Sequence, residues 1–345
     1  INKKKKISIF QIRKLNISKN HNLDISKFLN KLEKKLKKMI LNKILLSGKS
    51  TIYSNMTDWN PAEIIGIKPK TLASSTYKEL ITDQIWSVSR EQMGYSNCYG
   101  LPLTHEFLGS TYVDLRTCFN SFIPKELNFK LKEKIINFYF REFKKKPYYF
   151  FDKIESELVF SSLDFQTNDR LKILKKAKFE KSEITHLKKS LNSITNNAIK
   201  KLKTNIKISN KIIKICQKIS KQNLHPINKI YNLINICKNF GTLPFANIAR
   251  MAFIAMQFLN SMVKKNIISH SDKENFLKSL KSITGEMQRD FINLNKKLFL
   301  SKYGHLRPNT YEINSFNYGE NYKGYFRIFK NDHYKKYKKF KFSKN

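Results

Sequence analysis

Several residues of this chain have the types and spacing to do chemistry. The run Lys302-Tyr303-Gly304-His305-Leu306-Arg307-Pro308 is followed by Thr310 and Tyr311. A histidine two residues from an arginine could deprotonate a hydroxyl while the guanidinium neutralises a phosphate. The same residues also suit a purely structural loop. Gly304 and Pro308 interrupt any helix, so the pair is expected on an ordered loop. Asp58, Asn60 and Glu63 flank Trp59 and Pro61. Pro61 fits a first helical turn with Asn60 as N-cap and Glu63 inside that turn. Capping accounts for the polar residues and leaves Trp59 over, as a packing or stacking surface. Asp114 and Arg116 share a face if their segment is extended, as a structural ion pair or an anion site. Glu155 and Glu157 share a face on the same condition, and exposed carboxylates at that spacing are usually solvated. Asn247 and Arg250 stand three apart on an apolar helix, where a buried arginine requires an acid or a bound anion. Gln11 and Arg13 alternate along a strand and could hold metal-bound phosphate oxygens, although two solvated side chains is the simpler reading.

These segments stand out against a biased background. Of 67 basic residues 58 are lysine, so a lysine carries little information and a lysine-poor stretch carries more. From Thr51 to Pro124 there are three lysines, and both tryptophans, Trp59 and Trp86, fall there. The net charge of +41 suits nucleic acid or an anionic membrane surface. Its even spread and its poverty in arginine fit a lysine-coated surface better, so neither partner is expected. The four cysteines, at 98, 118, 216 and 237, form no zinc pattern and read as reduced thiols of a cytoplasmic protein. There is no GxxxxGK[ST], GxGxxG, GxSxG or HExxH motif. The apolar stretch 240–263 contains Asn247, Arg250, Gln257 and Asn260 and reads as a buried core helix rather than a membrane span.

The elements that must position these residues are mostly helical. Residues 7–13 alternate as a strand, and 14–24 read as a linker. Helices are expected over 25–46, over 72–93 up to Gly94, and over 126–143 up to Pro147. Residues 170–222 read as helical with a turn near 180–183. Further helices are expected over 226–238, 244–264 and 271–298, with 112–116 extended. The expectation is a mainly α fold with a few short strands.

In order along the chain, the runs 55–66, 112–116, 119–124, 241–246 and 302–308 resemble the region after the ATP-grasp domain in phosphoenolpyruvate synthase-like proteins. That family carries a pyruvate-phosphate dikinase PEP/pyruvate-binding domain, in a layout like that of rifampicin phosphotransferases. Phe10-Gln11-Ile12-Arg13 resembles the last ATP-grasp strand, with Lys14 where the family has proline. The resemblance implies residues 1–14 as the end of an ATP-grasp domain and 15–47 as a linker and helix. It makes 48–318 a helical substrate-binding domain and 319–345 a linker to a swivelling phosphohistidine domain. It implies an ATP-dependent phosphotransferase using Mg²⁺, with Gln11 at the metal, Arg13 at the nucleotide and a small-molecule acceptor. The acceptor would be held by Asp58, Trp59, Asn60, Glu63, Asp114, Arg116, Arg250, Thr310 and Tyr311, with His305 and Arg307 catalytic on the substrate side. His305 lacks the family's phosphohistidine context, and the chain has no PEP-binding barrel, so pyruvate is not implied. The competing class is a non-catalytic basic helical module that binds RNA or an acidic partner.

Overall fold

Apolar residues at helical spacing dominate the chain, and the fold is mainly α with one small antiparallel sheet. The computed structural model describes residues 25–41 and 46–326. The strand expected over 7–13, with Gln11 and Arg13, lies outside the described residues. The chain divides into two units, Ile1–Ile44 and Leu45–Asn345. Helix α1 (Ile25–Leu41) is the described part of the first; Glu33 and Lys37 pair one turn apart on it at 2.6 Å.

The second unit begins with β1 (Tyr53–Ser54), the short α2 (Pro61–Ile64), α3 (Thr71–Tyr77) and α4 (Ile85–Met93). A π turn, Lys78–Thr82, interrupts the run expected over 72–93. Gly94 ends α4 at φ 110°, and its N–H donates to the carbonyls of Arg90 and Glu91. Next come β2 (Thr104–Phe107) and β3 (Ser110–Asp114), which pair as a hairpin, with β1 on the other side of β3. The two residues between them, Leu108 and Gly109, have φ of 55° and 72°. Two positive φ angles make the turn that matches the twist of a tight hairpin.

Chain reversal at Asp114 corrects one expectation. The extended segment stops there, and Arg116 lies inside helix α5 (Leu115–Ser121). Asp114 and Arg116 therefore do not share a strand face. The reason is local: the Asp114 carboxylate accepts from the Arg116 and Thr117 N–H groups and so nucleates a helix at that point.

The main core forms where α6 (Phe129–Lys145) lays Leu131, Ile135, Ile136, Phe138, Tyr139 and Phe143 against Trp86, Phe119, Phe122 and β3. Pro147 ends that run and opens α7 (Pro147–Phe150). A π turn, Ile154–Leu158, leads to α8 (Thr167–Lys176) and the long α9 (Lys181–Ser209). The turn expected near 180–183 is present, with the Glu183 carboxylate accepting the Glu180 N–H at 2.8 Å.

α10 (Ile212–Ser220), α11 (Pro226–Ile236) and α12 (Leu243–Lys264) follow. Here a break was expected, yet the helix runs on from Pro226 to Lys264. Pro244 lacks an N–H and its ring crowds the preceding turn; the π turn Cys237–Thr242 widens the helix just before it. Among the described residues this is the one helical run long and apolar enough to cross a membrane. In this fold α12 packs against α9 and α4, and its inward stripe is Asn247, Arg250, Ile254, Gln257 and Ser261.

The helix expected over 271–298 is three: α13 (His270–Ser279), α14 (Ile283–Asn293) and α15 (Lys296–Tyr303). Ser269, Ser282 and Asn295 cap them in turn. The expectation for residues 319–326 is the start of a linker. They instead form α16 (Tyr322–Tyr325), packed with Phe326 on Phe291, Phe299 and Tyr318.

Gly94→Ala tests the joint that ends α4. The new Cβ would lie 3.2 Å from Ile194 Cγ1 at a φ that side chains resist. The variant should lose about 1–2 kcal/mol in urea unfolding followed by circular dichroism.

Candidate functional site

The turn Met56–Asn60 builds one wall of a cleft. Asn60 N–H donates to the Thr57 carbonyl at 2.7 Å, and Asn60 Oδ1 accepts the Glu63 N–H at 3.1 Å, so Asn60 caps α2 with Pro61 behind it. Trp59, between them, has φ of 56°. A non-glycine residue held there marks a constrained turn, typical of functional sites. The Tyr77 hydroxyl braces it by donating to the Trp59 carbonyl at 2.5 Å.

Two acid–arginine pairs sit beside this turn. Arg90 on α4 donates Nη2 to both Asp58 oxygens, at 2.8 and 2.7 Å, with both side chains buried. Arg250 on α12 donates Nη1 to Glu155 Oε1. Both guanidinium groups also lie over the Phe122 ring, at 3.9 Å for Arg90 and 5.1 Å for Arg250. Burial pushes the Asp58 carboxyl up, and Arg90 offsets only part of this. Burial also opposes the Arg250 charge, but Glu155, with Tyr95 and Asp58, holds its pKa above the ordinary value.

The cleft encloses about 410 Å³. Its apolar lining includes Trp59, Trp86, Phe122, Phe245 and Phe253. Thr57 Oγ1, Trp86 Nε1 and Arg90 Nη1 are buried with no hydrogen-bond partner, and all three residues line it. A buried polar atom left unpaired costs about 1–3 kcal/mol, so three around one cavity need an explanation.

Of the residues expected to bind substrate, the structure brings Asp58, Trp59, Asn60, Glu63 and Arg250 to the cleft. Asp114 is buried elsewhere, capping α5 and accepting from Thr51 Oγ1 at 2.5 Å, with His105 Nε2 3.9 Å away. Arg116 reaches back to the carbonyls of Ser47 and Leu46 at 3.3 and 2.6 Å. His305 is exposed on the loop after α15, and Arg307 donates to the carbonyls of Ile313 and Ser315 at 2.7 and 2.6 Å. Neither lines the cleft, and neither does the exposed Thr310. Tyr311 reaches it indirectly: its ring meets Tyr77 edge-on at 5.9 Å, and Tyr77 braces Trp59. Lys70 ties the same loop down through Glu312 at 3.1 Å. Arg90 and Phe253 join the cleft without having been expected there, and Trp86 and Phe245, which stand out in the sequence, had no role at a site assigned to them. Arg90 was detectable as a scarce arginine inside the lysine-poor stretch.

In comparisons with known proteins, the chain matches no family model, no curated protein and no solved structure.

The cleft does not fit Mg²⁺ or a triphosphate. Its buried acids already hold arginines, no lysine lines it, and no group of three His, Cys, Asp or Glu among the described residues could hold a metal ion. Gln11 and Arg13, the residues matched to those ligands, lie outside the described residues.

Breaking one buried pair should be costly. Arg90→Met strands the Asp58 charge and should destabilise by about 3–5 kcal/mol in urea unfolding, whereas adding Asp58→Leu should recover a large part. The loop behaves differently. Arg307→Met should speed amide exchange across 305–319 and, because Tyr311 on that loop packs on the Tyr77 that braces Trp59, alter tryptophan emission, whereas His305→Ala should do neither.

Proposed function

We propose that residues 46–326 hold a small-molecule phosphoryl acceptor for an ATP-dependent phosphotransferase of the phosphoenolpyruvate synthase-like kind. One observation carries this reading. Of the five runs behind the resemblance, three converge on a single cleft: 55–66 through Met56 to Ile64, 119–124 through Phe122, and 241–246 through Phe245 and Ala246. Segments far apart in sequence that line one concave, largely apolar site are what a substrate pocket requires. The other two runs have structural work, at the α5 cap and in the loop that braces Trp59.

In this reading ATP and Mg²⁺ are bound by an ATP-grasp domain, and a swivelling domain carries phosphohistidine to the cleft. The role of this region is to hold the acceptor in place, not to activate phosphate. Arg90 and Arg250 are already neutralised, so they orient the walls rather than clamp a phosphoryl group.

The test is transfer of label. With ATP-grasp and swivelling domains, Mg²⁺ and γ-labelled ATP, label should reach a compound in a metabolite fraction. Phe245→Ala should cut that step about tenfold or more while phosphohistidine forms as before. The chain 1–345 alone should not hydrolyse ATP, and turnover by it would sink this division of labour. The second reading is a basic module that binds RNA, with which the +41 charge is compatible. RNA affinity with a steep salt slope, indifferent to Phe245→Ala and without label transfer, would replace the first.

A further inference from the structure

We propose that the hairpin of α10 and α11 docks this chain on an anionic lipid surface. The cleft plays no part in this. The lysines are spread evenly along the chain, but the acids are not. Between Glu183 and Asp272 lie 88 residues with 14 lysines and Arg250 and without a single Asp or Glu. The chain's 26 acids, shared evenly over 345 residues, would put about seven in those 88. A bias toward lysine adds cations everywhere; it does not remove carboxylates. The hairpin occupies the middle of this acid-free stretch. On α10 and at its two ends, Lys211, Lys214, Lys218 and Lys221 are exposed, and none of the four pairs with an acid among the described residues. Lys229 on α11 is used inside the hairpin, where its ammonium donates to the Ser220 carbonyl at 3.0 Å and ties the start of α11 to the end of α10.

The apolar residues select among anionic partners. Ile227, Ile230 and Tyr231, three and four residues apart, share one face of α11 and remain 68%, 59% and 67% exposed. Large apolar side chains grouped on one exposed turn mark a surface that something else covers. The lysines beside them require that cover to be anionic as well as apolar. A membrane surface is both: an interfacial helix sinks its apolar face below the headgroups while lysines reach back to the phosphates. Tyr231 suits that boundary, with its ring in the acyl layer and its hydroxyl in water. RNA would also use the lysines, but an isoleucine offers a base neither a hydrogen bond nor a stacking face. α11 opens the apolar run Pro226–Lys264, yet the polar inward stripe of α12 holds that part of the run on α9 and α4. The hairpin therefore lies on the surface and does not span it.

The 345-residue chain should sediment with vesicles of three parts phosphatidylcholine to one part phosphatidylserine, less so in high salt, and not with phosphatidylcholine alone. Lys214→Gln with Lys218→Gln should weaken vesicle binding about tenfold. Lys175→Gln with Lys176→Gln makes the same charge change at exposed sites on α8, outside the acid-free stretch, and should weaken it less than about twofold. Ile227→Ser with Ile230→Ser should weaken vesicle binding about tenfold without changing the charge. All six positions are exposed, so circular dichroism should be unchanged in each variant. Equal losses from the two lysine pairs would mean that total charge holds the vesicle, and would overturn the proposal. Full vesicle binding by the isoleucine variant would overturn it too, as would sedimentation with RNA but not with vesicles. A dimer that Ile227→Ser with Ile230→Ser dissociates, in a chain that ignores vesicles, would give this face to a second copy instead.

Discussion

A guanidinium buried in the middle of an apolar helix constrains most of this structure. Arg250 lies on the inward face of α12, and its charge has to be met inside the protein. Glu155 meets it, from a π turn that presents the carboxylate toward α12. The same helix face carries three more polar groups. Asn247 bonds Ser89, Gln92 and Asn205; Gln257 bonds Ser162 and the Glu155 carbonyl; Ser261 accepts the Phe165 N–H. Each bond is satisfied in one register only. An apolar stripe could slide by a turn at modest cost, whereas a slipped polar stripe would bury several unpaired groups together. The stripe therefore decides how α12 sits on α4, α9 and the 154–165 segment.

The cleft follows from that register. With α12 held by Arg250, Phe245 and Phe253 face the turn that carries Asp58 and Trp59. Asp58 is drawn inward by Arg90, and Phe122 lies under both guanidinium groups. The walls are thus set by charge pairs and the surface by rings. The strained Trp59 backbone is braced from behind by Tyr77 and Tyr311, which gives the loop after α15 a supporting role in the shape of the site.

Much of the local structure was legible in the residue order. Gly94 stops α4, Asn60 and Pro61 start α2, and Glu183 marks the start of α9, because each effect acts within about one helical turn. Arg250 was legible in part: an arginine on an apolar helix announces a partner without naming it. Other features resisted. Pro244 reads as a break, but a π turn just before it absorbs the proline. Asp114 reads as half of a strand pair, yet its carboxylate caps a helix. The 302–308 run reads as a site because its composition escapes the lysine bias, whereas Arg307 spends its donors on the carbonyls of its own loop.

By itself the sequence determined the mainly helical class, a few helix ends such as those at Asn60, Gly94 and Pro147, and a short set of residues too unusual to be surface filler. These depend on short-range hydrogen bonds and on apolar spacing, which residue order contains. Only the tertiary structure decided which members of that set meet. Asp58 finds Arg90 across 32 residues and Glu155 finds Arg250 across 95. At such separations pairing is set by how α4, α9 and α12 pack, because a buried charge takes the partner that the packed elements bring within reach.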